Sequence, residues 1–240
     1  MRVKVIDFKQ MKAKADLYGI SLNEQQLTQL DLYAELLVDW NNRINLTGIT
    51  DSEGIMIRHF EDSMAILKYL EINASSTLID VGTGAGFPGM VLKIVRPDLE
   101  VTLLDSLNKR IQFLNEVAGR LGVNLTTVHL RAEEGGKMSL YREKFDIACA
   151  RAVSNLRELA EYCIPFVKNG GKFISMKGPD VSVELDVARP GIGTLGGKIS
   201  AIHEYNISDN SGRTLIIIDK VKPTPSQFPR VSAKIQKKPL

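Results

Sequence analysis

Leu78-Ile79-Asp80-Val81-Gly82-Thr83-Gly84-Ala85-Gly86-Phe87-Pro88-Gly89 is the stretch on which the fold turns. A short apolar run reads as a buried strand, the glycines as a tight turn, and Pro88 as the first residue of a helix. Glycines let backbone approach a ligand where any Cβ would collide, and a helix start adds outward N–H groups. Counted from Gly84, the string fits the dinucleotide fingerprint G-x-G-x-x-G. Three details point away from it. The glycines begin at Gly82, directly after the strand; an acid, Asp80, lies inside the strand end; and Pro88 removes one N–H that a pyrophosphate would use. A tight turn without a ligand is the plain alternative.

The pattern outward from this motif is periodic. Thr77–Val81, Glu100–Asp105, Leu125–Leu130, Phe145–Ala150 and Lys172–Met176 read as strands. Between them lie helical segments near Pro88–Val95, Leu107–Leu121 and Asn155–Tyr162. Strands alternating with helices predict an α/β fold with a doubly wound, mostly parallel sheet. Gly197–Ile207 and Thr214–Val221 follow with only an Asn-Ser-Gly turn between them. That connection is too short for a crossover and predicts an antiparallel hairpin closing the sheet. Before residue 72 there is no strand pattern. Leu27, Leu30, Tyr33, Leu36, Leu37 and Trp40 mark an amphipathic helix over 22–41, with its stripe turned to the core. A second helix begins near Thr50 or Asp51 and runs through Ile57, Phe60, Met64 and Leu70. The expected organisation is a helical extension over 1–72, a sheet domain over 73–221 and a basic tail over 222–240.

The chain has 240 residues, 44% hydrophobic and 25% charged, with a net charge of +3. No apolar run reaches membrane-span or signal-peptide length, and the expected compartment is the cytoplasm. Two cysteines, Cys149 and Cys163, exclude a disulfide scaffold and a cysteine-built zinc site, and no metal is expected. Both cysteines read as buried packing residues. Charge is uneven: Lys222, Arg230, Lys234, Lys237 and Lys238 give the tail +5 with no acid, leaving −2 on the rest. With four of the nine prolines, the tail is not expected to pack as an element. It suits nucleic acid or an acidic surface, or else a merely solubilising terminus. If the former, its removal should weaken RNA binding and spare cofactor binding.

Carboxyl ends of strands in an open α/β sheet are where ligands bind. Asp105, 23 residues beyond Gly82, is placed to take both ribose hydroxyls of a nucleoside, or to cap the helix after it. Ala132-Glu133 follows the third strand, Arg151 the fourth, and Lys177 the fifth. At Ala132 a backbone N–H is placed to meet an adenine edge. His59 lies between Arg58 and Phe60, with Arg58 and Asp62 spaced to pair at i, i+4. It reads as a packing histidine or, more sharply, as an RNA contact.

Asp80–Gly89, Val101–Arg110, Arg131-Ala132-Glu133, Ser175–Pro179 and Arg58–Ser63 together resemble the bacterial small-subunit ribosomal RNA methyltransferase G family, also called glucose-inhibited division protein B. The resemblance runs from about Leu32 to Val221. It implies a class I S-adenosylmethionine-dependent methyltransferase of Rossmann-like fold, acting on guanine N7 in the 530 loop of 16S rRNA. It implies cofactor contacts from Gly82, Phe87, Ala132, Glu133 and Arg151, with Asp105 at the ribose; Asp80, Gly84 and Gly86 join them through the glycine motif. Arg151 and Lys177 are positioning candidates, and no catalytic residue is certain. Arg58, His59, Arg131, Lys177, Lys237 and Lys238 are the RNA-binding candidates. The partner implied is 16S rRNA or a small-subunit particle, met by a monomer. The tail, Phe228–Pro239, keeps the family's basic end and lacks its Arg-Arg-Pro-Gly-like string.

The absences agree. Exocyclic amine methylation calls on an Asn/Asp-Pro-Pro-aromatic loop after the fourth strand, where this chain has Ala150-Arg151-Ala152-Val153. Pyrimidine C5 methylation needs a cysteine nucleophile. Guanine N7 has a lone pair and no proton, so direct in-line transfer needs positioning and no general base. A small-molecule methyltransferase and a non-catalytic RNA-binding assembly factor remain as alternatives, with a nicotinamide oxidoreductase third.

Overall fold

The chain is described by a computed structural model covering residues 4–151 and 154–240. Ala152 and Val153, half of the Ala150–Val153 position, lie outside the described residues. Seven strands form one sheet in the order β3-β2-β1-β4-β5-β7-β6. They are β1 (Thr77–Val81), β2 (Glu100–Asp105), β3 (Thr126–His129), β4 (Phe145–Arg151), β5 (Val167–Lys177), β6 (Gly197–Asn206) and β7 (Gly212–Lys220). The first five pair in parallel, and β7 runs antiparallel to both β5 and β6, as the short turn requires.

Alternation along the strands makes two cores. Leu78, Leu103, Ile147, Cys149 and Ile174 face one side, Ile79, Leu104, Ala148 and Phe173 the other. Against the first side pack α6 (Gly89–Val95) and α7 (Asn108–Leu121), covered in turn by α2 (Glu24–Asn41), while α1 (Phe8–Asp16) joins the same core against residues 55–61. Gln26 and Gln29 of α2 donate to the carbonyls of Ile94 and Val95, and of Leu121. Those carbonyls end α6 and α7 and have no partner within their own helices. Against the second side pack α8 (Ala132–Gly135), α9 (Leu156–Cys163) and α10 (Ser182–Thr194). The sequence pattern does not reveal α1 or α10, the latter interrupted by Pro190.

Two expectations need correction. The helix after Asp51 is not uniform: α3 (Ser52–Gly54) passes into a π-helical segment, Ile55–Glu61, then α4 (Asp62–Met64) and α5 (Ile66–Tyr69). The Asp62 N–H reaches back to the Ile57 carbonyl, and this wider turn carries Arg58 away from Asp62. Arg58 pairs instead with Asp209 at 2.8 Å. The tail, secondly, does pack: α11 (Ser232–Lys237) buries Ile235, and Phe228 joins the second core. Composition misjudged it because the two apolar residues are spread thinly, while most of its anchoring is polar. Arg230 forks onto Glu161, and Arg142 donates to the Thr224 and Phe228 carbonyls.

Candidate functional site

Strand β1 ends at Val81, and the following turn passes through Gly84 at φ +62° and Gly86 at φ +99°, a region that side chains resist. The two glycines serve different needs. A Cβ on Gly86 would stand 2.5 Å from the Tyr33 hydroxyl oxygen, so Gly86 is packed from behind by α2. A Cβ on Gly84 would meet nothing, because Gly84 faces an open cleft. Beneath the turn, the fully buried Asp80 accepts hydrogen bonds through Oδ2 from the Thr83 hydroxyl (2.6 Å) and the Gly89 N–H (2.8 Å). Its Oδ1 is buried without a partner among the described residues. Burial outweighs those two bonds and pushes the carboxyl up to about 6.

Asp105, at the end of β2, holds the turn from the front. It accepts from Gly84 N–H and Leu107 N–H, each at 2.9 Å, and from Arg110 at 3.2 Å. The helix it was expected to cap starts at Asn108, two residues beyond Ser106, so Asp105 orders the approach to α7.

Three cavities run along the carboxyl edge of the parallel strands. The first, about 160 Å³, lies between Gly82, Ser106, Arg131, Ala132 and Glu133 on one side and Tyr162 and Ser232 on the other. Gly82 and Ser106 also line a second of about 460 Å³, faced by Gly84, Phe87, Asp105, His59 and Arg151. His59 and Arg151 also line a third, about 360 Å³, with Arg58, Asp62, Lys177 and Arg213.

The wall between the second and third cavities is a stack. The His59 ring lies on Phe87 at 4.3 Å and 11°, and the Arg151 guanidinium sits 5.0 Å from the Phe87 ring centroid. Arg151 donates to the Arg58 carbonyl and to Asp62, and its other nitrogen lies 3.3 Å from His59 Nδ1. A guanidinium only donates, so Nδ1 accepts and the proton sits on Nε2, facing the Thr47 hydroxyl at 2.9 Å. Burial and then the Arg151 charge hold the imidazole down to about 3, so it is neutral at any physiological pH. Asp62 is bridged by both Arg151 (3.1 Å) and Arg213 (3.2 Å). Lys177 is tied to Glu184 at 2.7 Å and to the Ser154 carbonyl.

Most of the residues expected from the sequence therefore meet in one trench: Gly82, Gly84, Phe87, Asp105, Arg131, Ala132, Glu133, Arg151, Arg58, His59 and Lys177. Asp80 and Gly86 lie behind the turn and line none of the three cavities. Lys237 and Lys238 are exposed at the end of α11, outside the trench. Cys149 and Cys163 are fully buried, with thiols pushed well up by burial. The sequence reading missed Thr47, Asp62, Tyr162, Arg213 and Ser232. Arg213 had a signal. An antiparallel strand begins where its parallel neighbour ends, and the register Lys177↔Thr214 puts the start of β7 at the ligand edge.

A family model described as rRNA small subunit methyltransferase G matches residues 26–211. A relative from Clostridium perfringens (strain 13 / Type A), named ribosomal RNA small subunit methyltransferase G, is 49% identical over 97% of this chain and 98% of its own length. One of the same name from Staphylococcus carnosus is 46% identical over 95% of this chain and 96% of its own. Among solved structures, the antibiotic-resistance methyltransferase Kmr superposes with TM-score 0.53 at 18% identity, covering 63% of this chain and 89% of that one. The 16S rRNA (adenine(1408)-N(1))-methyltransferase from Catenulisporales acidiphilia gives 0.52 at 15%, over 62% and 87%. At such identities these structures establish the fold alone, that of class I S-adenosylmethionine-dependent methyltransferases. The near-complete overlap with close relatives and the family match across most of the sheet and α2 go further: the chain belongs to the rRNA small subunit methyltransferase G family.

Proposed function

We propose that the protein methylates small-subunit ribosomal RNA with S-adenosylmethionine, at guanine N7 in the 530 loop of 16S rRNA, as a monomer in the cytoplasm. The observation that carries the reading is the row of three adjacent cavities. A cavity of nucleoside character adjoins the cleft lined by the Asp105 carboxylate, and His59 and Arg151 divide that cleft from a cation-rich third cavity.

The residues present suit the cofactor. Gly84 turns a missing Cβ toward the cleft, and Asp105 lines it with a carboxylate suited to two ribose hydroxyls. Ala132 and Glu133 face the base end, and Gly82, Phe87 and Arg151 the remainder. When bound, S-adenosylmethionine supplies an activated methyl group on a positively charged sulfur. Arg151 is locked by Asp62, the Arg58 carbonyl and Phe87, so it serves to hold a geometry. The stacked His59 and Phe87 rings narrow the passage and exclude water beside it.

Among the described residues, the possible proton acceptors lining the second and third cavities are already engaged, Asp105 by the Gly84 and Leu107 N–H groups and by Arg110. His59 is neutral with both ring nitrogens engaged, Asp62 is bridged by two arginines, and Asp80 lies beneath the turn. Guanine N7 suits such a site because it has no proton to lose. Turnover with bound substrates is therefore expected to be flat with pH between about 7 and 9.

The test is incubation of the protein and labelled S-adenosylmethionine with small-subunit particles from a strain lacking the gene. The expected result is label in 16S rRNA, a borohydride–aniline strand break in the 530 loop, and 7-methylguanosine by mass spectrometry. Methyl on an exocyclic amine, a ribose hydroxyl or a pyrimidine would refute the N7 reading, and no transfer at all would refute the enzyme.

A further inference from the structure

The C-terminal segment is not a free arm, and its course passes the nucleoside cavity at Ser232. Thr224 is tied by the buried Lys220, and Arg142 clamps the carbonyls of Thr224 and Phe228. Pro229 lies so close to α8 that a Cβ on Gly136 would come within 3.0 Å of it. Arg230 then binds Glu161 three ways: its backbone N–H at 2.7 Å, Nε at 2.9 Å and a terminal nitrogen at 2.6 Å. Glu161 is fully buried, and Ile235 is buried on the far side. Between these anchors stands Ser232, whose hydroxyl lies 2.9 Å from the Tyr162 hydroxyl. Both residues line the small cavity opposite Ala132 and Glu133.

We propose that the C-terminal segment is a wall of the cofactor pocket, with Ser232 and Tyr162 setting the space left for the nucleoside base, so that cofactor affinity depends on this segment. The proposal rests on the reading of this cavity as the S-adenosylmethionine site. The family model ends at residue 211, before the segment begins. On this proposal cofactor binding also depends on a tail that the sequence assigns to nucleic acid, an acidic surface or solubility. Ser232 lines the pocket and Phe228 and Arg230 anchor it there, while Lys234, Lys237 and Lys238 stay exposed for other contacts. Binding and latching are reciprocal: a ligand that needs the wall in place must also hold it there.

The experiment uses the full chain with S-adenosylhomocysteine as probe. Ser232→Trp fills a cavity of about 160 Å³ from its rim and is expected to weaken binding by calorimetry at least about tenfold, with the melting temperature of the free protein and its RNA affinity kept. A variant that binds as tightly as the parent overturns the proposal. A parent that does not bind S-adenosylhomocysteine overturns the cofactor reading itself, so the two failures are distinguishable. Because the indole could unseat the segment, a second measurement leaves the chain unaltered: amide hydrogen exchange across residues 228–237. Slower exchange with S-adenosylhomocysteine bound is expected, and equal protection with and without it overturns the proposal.

Discussion

Asp80 shows how one residue can be legible as functional and still act from behind the site. Alternation in β1 turns Leu78 and Asp80 to the α6 side while Ile79 and Val81 face α9, so the motif acid braces the turn and leaves Asp105 to face the cleft. Its carboxyl, raised to about 6, holds a proton more tightly folded than unfolded. That contribution to stability is present at acid pH and is lost as pH rises from the ordinary carboxyl value through about 6. Asp80→Asn keeps an acceptor for the Gly89 N–H and removes the ionisation. It is expected to match the parent in urea denaturation near pH 4 and to be the more stable protein at pH 7.5, by at most about 3 kcal/mol. Equal stability differences at both pH values would mean that Asp80 ionises like a surface acid. Asp105→Ala should act on the ligand instead. On the proposed reading its carboxylate takes two ribose hydroxyls, so its loss is expected to weaken S-adenosylhomocysteine more than about tenfold in calorimetry, and an unchanged affinity would remove Asp105 from the site.

At the scale of elements, what the sequence shows well is what local periodicity controls. β1 and β2 begin and end where the pattern places them because apolar alternation and glycine breaks are written into adjacent residues. What it hides depends on partners far along the chain. The i, i+4 spacing of Arg58 and Asp62 suggests a surface pair, yet the π-helical turn hands Arg58 to Asp209 and Asp62 to Arg151 and Arg213. Gly86 reads as a ligand glycine, but Tyr33 from α2 occupies the space beside it. The tail reads as unstructured because its anchor, Glu161, is 69 residues away in sequence. That ion pair has a measurable consequence. Glu161 is fully buried, so removing the guanidinium leaves its charge unpaired and held by the residue 230 N–H, and Arg230→Ala is expected to cost about 3 kcal/mol in denaturant unfolding. A cost below about 0.5 kcal/mol would return the tail to the status of a loose terminus.

Over the whole molecule, the cations divide into those already spent inside the fold and those left to meet phosphates. Arg151 and Lys177 have side chains only 15% and 10% exposed and are held by Asp62 and Glu184, so they shape the trench. Lys109 is exposed in a cleft of about 500 Å³ shared with Arg43 and Arg110, with no acid among its lining residues, beside the second cavity, which Arg110 also lines. Lys237 and Lys238 are exposed on the opposite flank, beyond the latch. A phosphate backbone crossing the trench would meet one group on each side. Neutralising a phosphate releases counterions, and each such contact adds about 0.7 to 0.9 to the slope of log affinity against log salt. Lys109→Ala is expected to flatten that slope by about this amount, and Lys237→Ala with Lys238→Ala by up to twice as much, each with S-adenosylhomocysteine affinity retained. Lys177→Ala should leave the slope alone and reduce turnover, since its ammonium is already satisfied by Glu184. Filter binding of 16S rRNA across a salt series reads all three. A slope that falls for Lys177→Ala and not for Lys109→Ala would move the RNA path off the flanks and into the trench itself.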